Sequence, residues 1–198
     1  MSTAGQGERA QAATDGRFIK GEARRGEIIE AALRLMARSG VQALTLDAVA
    51  REAGVSKGGL IHHFNTKEAL VQGVVNSATQ ALHEQIESAY EANSDRSPGS
   101  FTRVYIEATL RHAEEAFLLP MFELVARDPS MASALAQHNL WCHERFENDG
   151  IDPVLAHVLA SAADGLWLEI IFKIESATSW RVRAMKECLL RLSRKPAA

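Results

Sequence analysis

The fold of this chain is decided by residues 45–67, which read TLDAVAREAGVSKGGLIHHFNTK. In the first half, apolar residues recur at the spacing that places them on one face of a helix of about two turns: Leu46, Val49, Ala50 and Ala53. Thr45 is placed to cap this helix, and Gly54 suits the left-handed backbone that ends it. Ser56 is a preferred residue type for the start of the next helix. The stretch therefore predicts two short helices joined by a tight turn.

The second of these helices has an unusual outer surface. Only Leu60 and Phe64 form an inward pair, which leaves small, polar or cationic residues outside: Lys57, Gly58, Gly59, Ile61, His62 and His63. A glycine costs a helix about 1 kcal/mol relative to alanine, so close approach to another surface explains the glycine pair better than helix stability does. A DNA major groove accepts such a helix. A buried helical hairpin with a glycine turn would show the same spacing.

The order of the residues adds to their spacing. The stretch LDAVAREAGVSKGGLIHHFNTKEAL, residues 46–70, closely resembles the helix-turn-helix of the tetracycline-repressor (TetR) family of bacterial transcription regulators. The upstream stretch IIEAALRLMARSG, residues 28–40, resembles that family's first helix. Close resemblance covers residues 24–75, and the remainder matches only in length and helical character. The resemblance implies a C-terminal helical domain that binds an effector between helices, and a dimer whose two recognition helices change their spacing on binding.

Chemistry and resemblance together predict a set of DNA contacts: Thr45, Ser56, Lys57, Gly58, Gly59, Ile61, His62, His63 and Lys67. Ser56, Lys57 and Gly59 resemble the base-facing start of the recognition helix, because the lysine ammonium can reach guanine acceptors or a phosphate. Thr45, the two histidines and Lys67 resemble groups that position the DNA backbone. Ile61 stands where the family usually has a tyrosine and cannot donate a hydrogen bond. Apolar contact with a thymine methyl remains open to it.

Composition agrees with a globular protein that meets DNA at one end. Apolar residues make up 46% of the 198 residues and charged residues 24%, an ordinary globular balance. The net charge is −3 overall, but residues 17–75 carry a net +3 and residues 76–198 a net −5. Cys142 and Cys188 fit neither a CxxC pair nor a disulfide pattern. With no signal-like segment or apolar run of about 20 residues, the expected location is the cytoplasm and no membrane partner is expected.

The rest of the chain predicts an all-α protein of two domains. Residues 1–23, without apolar periodicity, predict a disordered arm. Basic residues at its end either reach DNA or form a solvated tail: Arg17, Lys20, Arg24 and Arg25. A helix from Ala23 to Ser39 follows. Thr66 caps a long helix to Ala92 that joins a helix-turn-helix domain, 24–75, to a helical effector-binding and dimerisation domain, 76–198.

Dimerisation is predicted from the helix between Pro153 and Ile174. It is apolar nearly all round with a narrow polar line, and such a helix is usually covered on two sides. We therefore expect it to pack on its own core and on a second subunit, together with a last amphipathic helix from Trp180 to Leu192. The predicted interface residues are Leu155, Leu159, Ala162, Leu166, Ile170, Val182, Met185 and Leu189.

A small-molecule pocket is predicted among the other helices of the C-terminal half, on the reasoning that ligand sites are mostly apolar with a few polar groups. Its candidate residues are Tyr105, Thr109, His112, Phe117, Met121, Phe122, His138, Trp141, Cys142 and Trp167. The alternative for each is a place in the core. An apolar or aromatic effector is expected. His138 and Cys142, four residues apart, have a spacing used by metal ligands, but two residues do not make a site, so neither metal nor cofactor is expected.

These features predict a homodimeric, ligand-responsive transcription regulator. Two identical heads related by a two-fold axis would bind a palindromic operator, and the protein would act as a repressor released by its effector. The alternatives are a protein-interaction module of the same fold that has lost DNA binding, and a small helical enzyme. No catalytic residues are predicted, because P-loop, GxGxxG and HExxH motifs are absent from the sequence. The stretch GVSKG, residues 54–58, fits GxSxG in letters, but that motif has catalytic meaning only at a strand-to-helix turn.

Overall fold

Helices form the framework of the computed structural model, which describes residues 4–111, 123–126 and 128–194, with side chains from Lys20 onward. The helices are α1 (Ala4–Ser39), α2 (Leu46–Glu52), α3 (Lys57–His63), α4 (Lys67–Ala92), α5 (Ser100–Arg111), α6 (Ser133–Glu147), α7 (Pro153–Ile171) and α8 (Trp180–Leu192). Short 3-10 turns lie at Val41–Ala43 and Pro129–Ala132. The described residues include no β-strand, so the predicted all-α class is confirmed.

The chain divides into two compact units, Met1–Val74 and Val75–Ala198. The division lies one residue from the boundary predicted near residue 75. It falls inside α4, whose first two turns belong to the first unit and whose remainder belongs to the second. One uninterrupted helix is therefore shared by both units.

The N-terminus differs from the sequence prediction. Residues 4–23 were expected to form a disordered arm, but they continue α1 as one helix of 36 residues. The stretch contains no proline, and a helix already formed extends at little cost per residue. The lack of an apolar stripe therefore did not prevent the segment from being helical.

The first unit packs α1 against α2, α3 and the start of α4. Its buried side chains come from all four helices: Ile28, Ile29, Met36, Val49, Ala50, Leu60, Phe64, Leu70 and Val74. Arg38 donates a 2.8 Å hydrogen bond to Glu52, linking α1 to α2 and lowering the pKa of that carboxyl. The ring of Phe64 lies so close to Gly73 that a Cβ there would be 2.7 Å from its edge. The glycine therefore allows α4 to pack against this ring.

In the second unit, α5 contributes to two apolar clusters. The first is formed by Ile86, Phe101, Ala108, Cys142, Phe146, Ile151, Ala156 and Ala160, and the second by Ile106, Leu159, Ala163, Leu166, Ile170, Val182 and Leu189. The N-terminus of α5 is capped by a buried carboxylate: Asp149 accepts hydrogen bonds of 2.8 Å from the Phe101 and Thr102 amides and 2.6 Å from the Thr102 hydroxyl. Asp149 thereby ties the loop after α6 to the start of α5.

Most of the residues predicted for the dimer interface lie in the core of their own chain. The predicted residues Leu159, Leu166, Ile170, Val182 and Leu189 are buried in the second cluster of their own chain. Leu155, Ala162 and Met185 are half-buried against the same cluster. An all-round apolar helix does not reveal which side faces its own core, and α5 and α8 cover the side that the sequence assigned to the partner.

Another face of α7 is left uncovered within the chain. Its exposed residues recur every three or four positions: Val154, Val158, Ser161, Gly165, Leu168 and Phe172. Val154 is 71% exposed and Val158 58%. Among the described residues, α7 is also the one helix whose length and composition would allow it to cross a membrane. Its packing on α5 and α8 is that of a core helix.

Candidate nucleic-acid interface and ligand cavity

The α2–turn–α3 segment is shaped by caps at each break. Thr45 Oγ1 accepts a 3.1 Å hydrogen bond from the Ala48 amide at the start of α2. At its end, Gly54 has φ 65°, and the Val55 amide donates to the Ala50 carbonyl over 2.9 Å. This six-residue closure is the Schellman arrangement, which favours glycine. Ser56 Oγ then accepts from the Gly59 amide at 3.1 Å. The predicted helix-turn-helix is therefore present with the caps that the sequence indicated.

Every predicted DNA contact is accessible. Leu60 and Phe64 are buried, as predicted, and they fix which side of α3 faces outward. His63 is half-buried, and the other predicted contacts are exposed: Thr45, Ser56, Lys57, Gly58, Gly59, Ile61, His62 and Lys67. The outer side of α3 thus combines a cation, two glycines, two imidazoles and an isoleucine that is 40% exposed.

The two glycines of α3 differ in their surroundings. A Cβ at Gly59 would lie 3.2 Å from Ser56 Oγ, the atom that caps the helix. A Cβ at Gly58 would have no neighbour within 4 Å. Helix packing within the chain therefore gives a reason for Gly59 to be small, and none for Gly58.

Lys57 forms an ion pair that the sequence prediction missed. Its Nζ lies 3.0 Å from Asp47 Oδ1, and both side chains are well exposed. Such pairs are usually worth well under about 1 kcal/mol, so the ammonium stays available to a stronger acceptor. A carboxylate in the first turn of α2, ten positions before the lysine, was the signal in the sequence.

A concavity of about 400 Å³ lies beside α3 in the first unit. It is lined by Arg24, Gly54, Val55, Ser56, Gly59, His62 and His63. Arg24 is one of the basic residues for which the sequence left DNA contact and a solvated tail open. Its guanidinium forms an exposed ion pair with Glu27 at 2.6 Å.

A second cavity, of about 420 Å³, lies between α4 and α6 in the C-terminal unit. Its lining is mostly polar: Asn76, Thr79, Gln80, His83, Ser133, Ala134, Gln137 and His138. The sequence analysis predicted only His138 among these. A signal was present, because residues 76, 79, 80 and 83 follow the i, i+3, i+4, i+7 spacing of one helix face. An aromatic or apolar lining is the usual form of a ligand site, and these polar residues do not fit it.

Five of the other predicted pocket residues are described by the structure and lie outside this lining. Thr109 and Cys142 are buried, whereas Tyr105, Trp141 and Trp167 are half-buried. His112, Phe117, Met121 and Phe122 lie outside the described residues. Within the described part, the polar lining also differs from the apolar surroundings expected for an effector pocket.

His138 connects the cavity to the core. Its Nε2 lies 3.6 Å from Cys142 Sγ, and its ring lies 5.8 Å from that of His83, measured between centroids. Burial, with a smaller effect from His83, lowers the pKa of His138 to about 4. Burial also raises the pKa of the Cys142 thiol to about 12, aided by the charge of Asp164. Near neutral pH this pair is therefore a neutral imidazole beside a protonated thiol.

A second polar pair was missed entirely. Tyr105 donates a 2.9 Å hydrogen bond to Asp164 on α7. Burial raises the pKa of Asp164, while the hydrogen bond acts in the opposite direction. Burial and the neighbouring carboxylate also raise the pKa of Tyr105. Across the described ranges, no three His, Cys, Asp or Glu side chains are grouped so that they could hold a metal ion.

Two family descriptions match the chain. Residues 28–74 match "Bacterial regulatory proteins, tetR family", and residues 99–194 match "Tetracyclin repressor-like, C-terminal domain". The first match contains α2 and α3, and the second contains the helices of the C-terminal unit from α5 onward.

Curated relatives are transcription regulators. The regulator TtgR of Pseudomonas putida is 38% identical over 74 residues, which are 37% of this chain and 35% of that protein. BetI of Ectopseudomonas mendocina is 26% identical over 157 residues, covering 73% of this chain and 80% of that protein. The chain thus spans about a third of the length of TtgR, and just under half of another BetI, from Pseudomonas fluorescens.

Solved structures share the fold over most of the chain. The multidrug binding protein EbrR, complexed with imidazole, is 26% identical with a TM-score of 0.65, covering 88% of this chain and 97% of that chain. A TetR-family member from Streptomyces coelicolor A3, SCO1917, is 24% identical with a TM-score of 0.63, covering 85% and 97%. The protein therefore belongs to the TetR family of bacterial transcription regulators, which are not enzymes, and has an N-terminal helix-turn-helix DNA-binding domain and a C-terminal helical ligand-binding domain.

Proposed function

We propose that this protein is a homodimeric repressor that binds an operator of two inverted half-sites and is released by a small-molecule effector. The observation that carries the DNA-binding part is the outward face of α3. It offers a cation, two imidazoles and Gly58, at which a Cβ would have no neighbour within 4 Å among the described residues. A recognition helix that approaches base edges closely has this composition.

Roles follow from position on the two helices. Lys57 is near the start of α3, where it can exchange the exposed Asp47 carboxylate for guanine acceptors or a phosphate. Gly58 lets the helix backbone approach the groove. Ile61, 40% exposed, would contact a thymine methyl, because its side chain carries no hydrogen-bond donor.

Other residues would position the protein on the DNA backbone. Thr45 and Thr66 cap α2 and α4 by accepting bonds from the Ala48 and Ala69 amides. Free amides at helix N-termini and adjacent cations favour phosphates. Lys67 begins α4, and His62 and His63 lie on α3 beside the concavity lined by Arg24. These groups would set register and orientation rather than sequence preference.

We place the dimer interface on the uncovered face of α7, in place of the buried residues predicted from sequence. Val154, Val158, Leu168 and Phe172 provide exposed apolar area. Gly165 lies between them, and a Cβ there would meet nothing within its own chain. A two-fold axis through such a face would bring identical patches together and would relate the two DNA-binding heads that read inverted half-sites.

The effector proposal rests on the C-terminal unit. Its family description is that of a tetracycline-repressor-like C-terminal domain, and EbrR, 26% identical, has been solved in complexes with imidazole and with malachite green. An effector that favours a spacing of the two DNA-binding domains different from that of the operator half-sites weakens operator binding. By thermodynamic linkage, the operator must then weaken effector binding by the same factor. A regulator of this kind acts where the chromosome is, so we place it in the cytoplasm.

The test is selection of DNA fragments from the source genome by the purified full chain, followed by affinity measurements at two salt concentrations. We expect one inverted repeat to be enriched, with affinity that falls steeply as salt rises. Lys57→Ala should weaken binding by about 1–3 kcal/mol. Lys186→Ala, on α8 in the other unit, is the matched control and should leave affinity unchanged.

Failure of enrichment by folded, dimeric protein would contradict the repressor proposal. It would favour the second candidate, a protein-interaction module. The observation behind that candidate is Ile61, an exposed apolar side chain at the position where the family usually has tyrosine.

A further inference from the structure

Two residues that line the cavity between α4 and α6 each carry a buried polar atom without a hydrogen-bond partner. The atoms are Thr79 Oγ1 and His138 Nδ1, and their residues are only 5% and 7% exposed. Buried polar groups are nearly always hydrogen-bonded, because water that once paired them has been removed. Two unpaired atoms on residues that line one cavity indicate a place prepared for a molecule that pairs both.

Among the described residues that line the cavity there is no Lys, Arg, Asp or Glu. Apart from two histidines they carry amide, hydroxyl and methyl groups, and burial keeps His138 neutral down to about pH 4. A charged ligand that moves from water into this cavity would lose hydration free energy, and no oppositely charged Lys, Arg, Asp or Glu among the described lining residues would compensate for that loss. The lining therefore selects an uncharged molecule.

The direction of the missing hydrogen bond follows from Cys142. The thiol remains protonated, since burial raises its pKa to about 12. Its hydrogen can be donated to His138 Nε2, which lies 3.6 Å away. A neutral imidazole carries one hydrogen, and in the tautomer that accepts from the thiol this hydrogen is on Nδ1, which then acts as a donor; the site inferred here takes this tautomer. The matching group on a ligand is an acceptor, and the Thr79 hydroxyl can donate to the same atom.

The cavity also offers an aromatic side. The His83 ring, which lines it, lies against Trp141 with 4.0 Å between ring centroids. A ring fixed in this way presents a flat surface to a planar molecule. The volume of about 420 Å³ is within the range of small-molecule sites.

We propose that this cavity is the effector site and that it takes an uncharged, planar molecule whose carbonyl-type oxygen is bound by Thr79 and His138. The proposal rests on the proposed ligand-responsive function. Thr79 lies on α4, the helix whose first turns belong to the DNA-binding unit. A molecule bound there contacts the element through which the heads would respond.

The experiment uses three probes of one shape on the full chain: benzamide, neutral with a carbonyl; benzoate, an anion; and benzylamine, a cation. Titrations are followed by nitrogen-15 NMR of the histidine rings and by calorimetry. We expect benzamide alone to shift the His138 Nδ1 signal. Thr79→Val keeps the side-chain shape but removes the hydroxyl, and should weaken benzamide binding about tenfold while raising the melting temperature. Thr178→Val, in the loop before α8, should change neither.

Equal benzamide affinity in wild type and Thr79→Val would overturn the site, as would stronger binding of benzoate or no shift of His138 with any probe. Operator affinity, measured on the same samples, separates this failure from that of the proposed function. If the protein binds the operator but not benzamide, the proposal of a DNA-binding regulator would stand and the proposed effector site would be wrong. Benzamide binding that leaves operator affinity unchanged would overturn the assignment of the cavity as the effector site.

Discussion

The two glycines of α3 show that a sequence can indicate a close approach between surfaces but cannot show which residue makes it. Their cost to a helix indicated that both were present for close approach to another surface. The structure separates them, because Gly59 has a neighbour in the Ser56 cap and Gly58 has open space. Spacing in a sequence cannot distinguish these reasons, since both residues occupy the same helix surface.

This difference gives a prediction for Gly58→Ala. Alanine should raise stability by about 0.5–1 kcal/mol, because it lowers the entropy cost of forming the helix and meets no atom. Operator affinity should fall about tenfold or more, because the methyl group holds the helix away from the groove. Thermal unfolding and fluorescence anisotropy measure the two effects. A stabilised variant that binds the operator as well as wild type would contradict the assigned approach.

His138 gives a prediction about pH. Its pKa is about 4 in the folded chain and about 6.5 when unfolded, so between these values the unfolded state binds more protons. Stability should therefore fall as pH decreases from 6.5 towards 4, with a contribution of about 3 kcal/mol from this residue. Urea unfolding of wild type and His138→Gln across this range measures it. Parallel curves for the two proteins would show that His138 contributes nothing.

At the scale of elements, the sequence predicted helices better than the contacts that hold them. The starts of α2, α3 and α7 were predicted from neighbouring residues, because a cap such as Ser56 lies within the same segment. The cap of α5 was missed because it comes from Asp149, more than 45 residues along the chain. No local pattern records a partner at that distance.

The Asp149 cap can be tested against a local one. Asp149→Ala leaves two buried amides and a hydroxyl unpaired, and should cost about 3 kcal/mol or more. Asp152→Ala removes the exposed cap of α7, which accepts from the Val154 amide at 2.8 Å, and should cost about 1 kcal/mol. Urea denaturation measures both. Equal losses would show that burial adds nothing to the Asp149 cap.

At the scale of the whole molecule, the all-α class and the helix-turn-helix could be predicted because they depend on periodicity and local turn chemistry. The outward face of α7 could not be predicted from sequence. A helix that is apolar on all sides can pack against the core with any of several faces. The cavity residues Thr79 and His83 were missed for a related reason. Polar residues on one helix face indicate solvent until a second helix, here α6, is known to cover them.

The proposed assembly gives a prediction for the intact protein. Gly165→Arg should preserve the folded monomer, because Gly165 is exposed and a Cβ there would have no described neighbour within 4 Å. The bulk and charge of the arginine should separate two α7 faces. Analytical ultracentrifugation should show a dimer for wild type and a monomer for the variant. Wild-type melting temperature should rise with protein concentration, and that of the variant should not. A dimeric variant would place the interface elsewhere.

The contact between Phe64 and Gly73 has a consequence for how this family can vary. A single exchange of Gly73 for any larger residue would put a carbon 2.7 Å from the buried ring, and Phe64 cannot move aside while it fills the core beneath Arg25. A larger residue at position 73 is therefore expected only where residue 64 has become smaller, whereas residue 64 can become smaller on its own. Such one-sided covariation would reflect the packing of α4 against the end of the recognition helix.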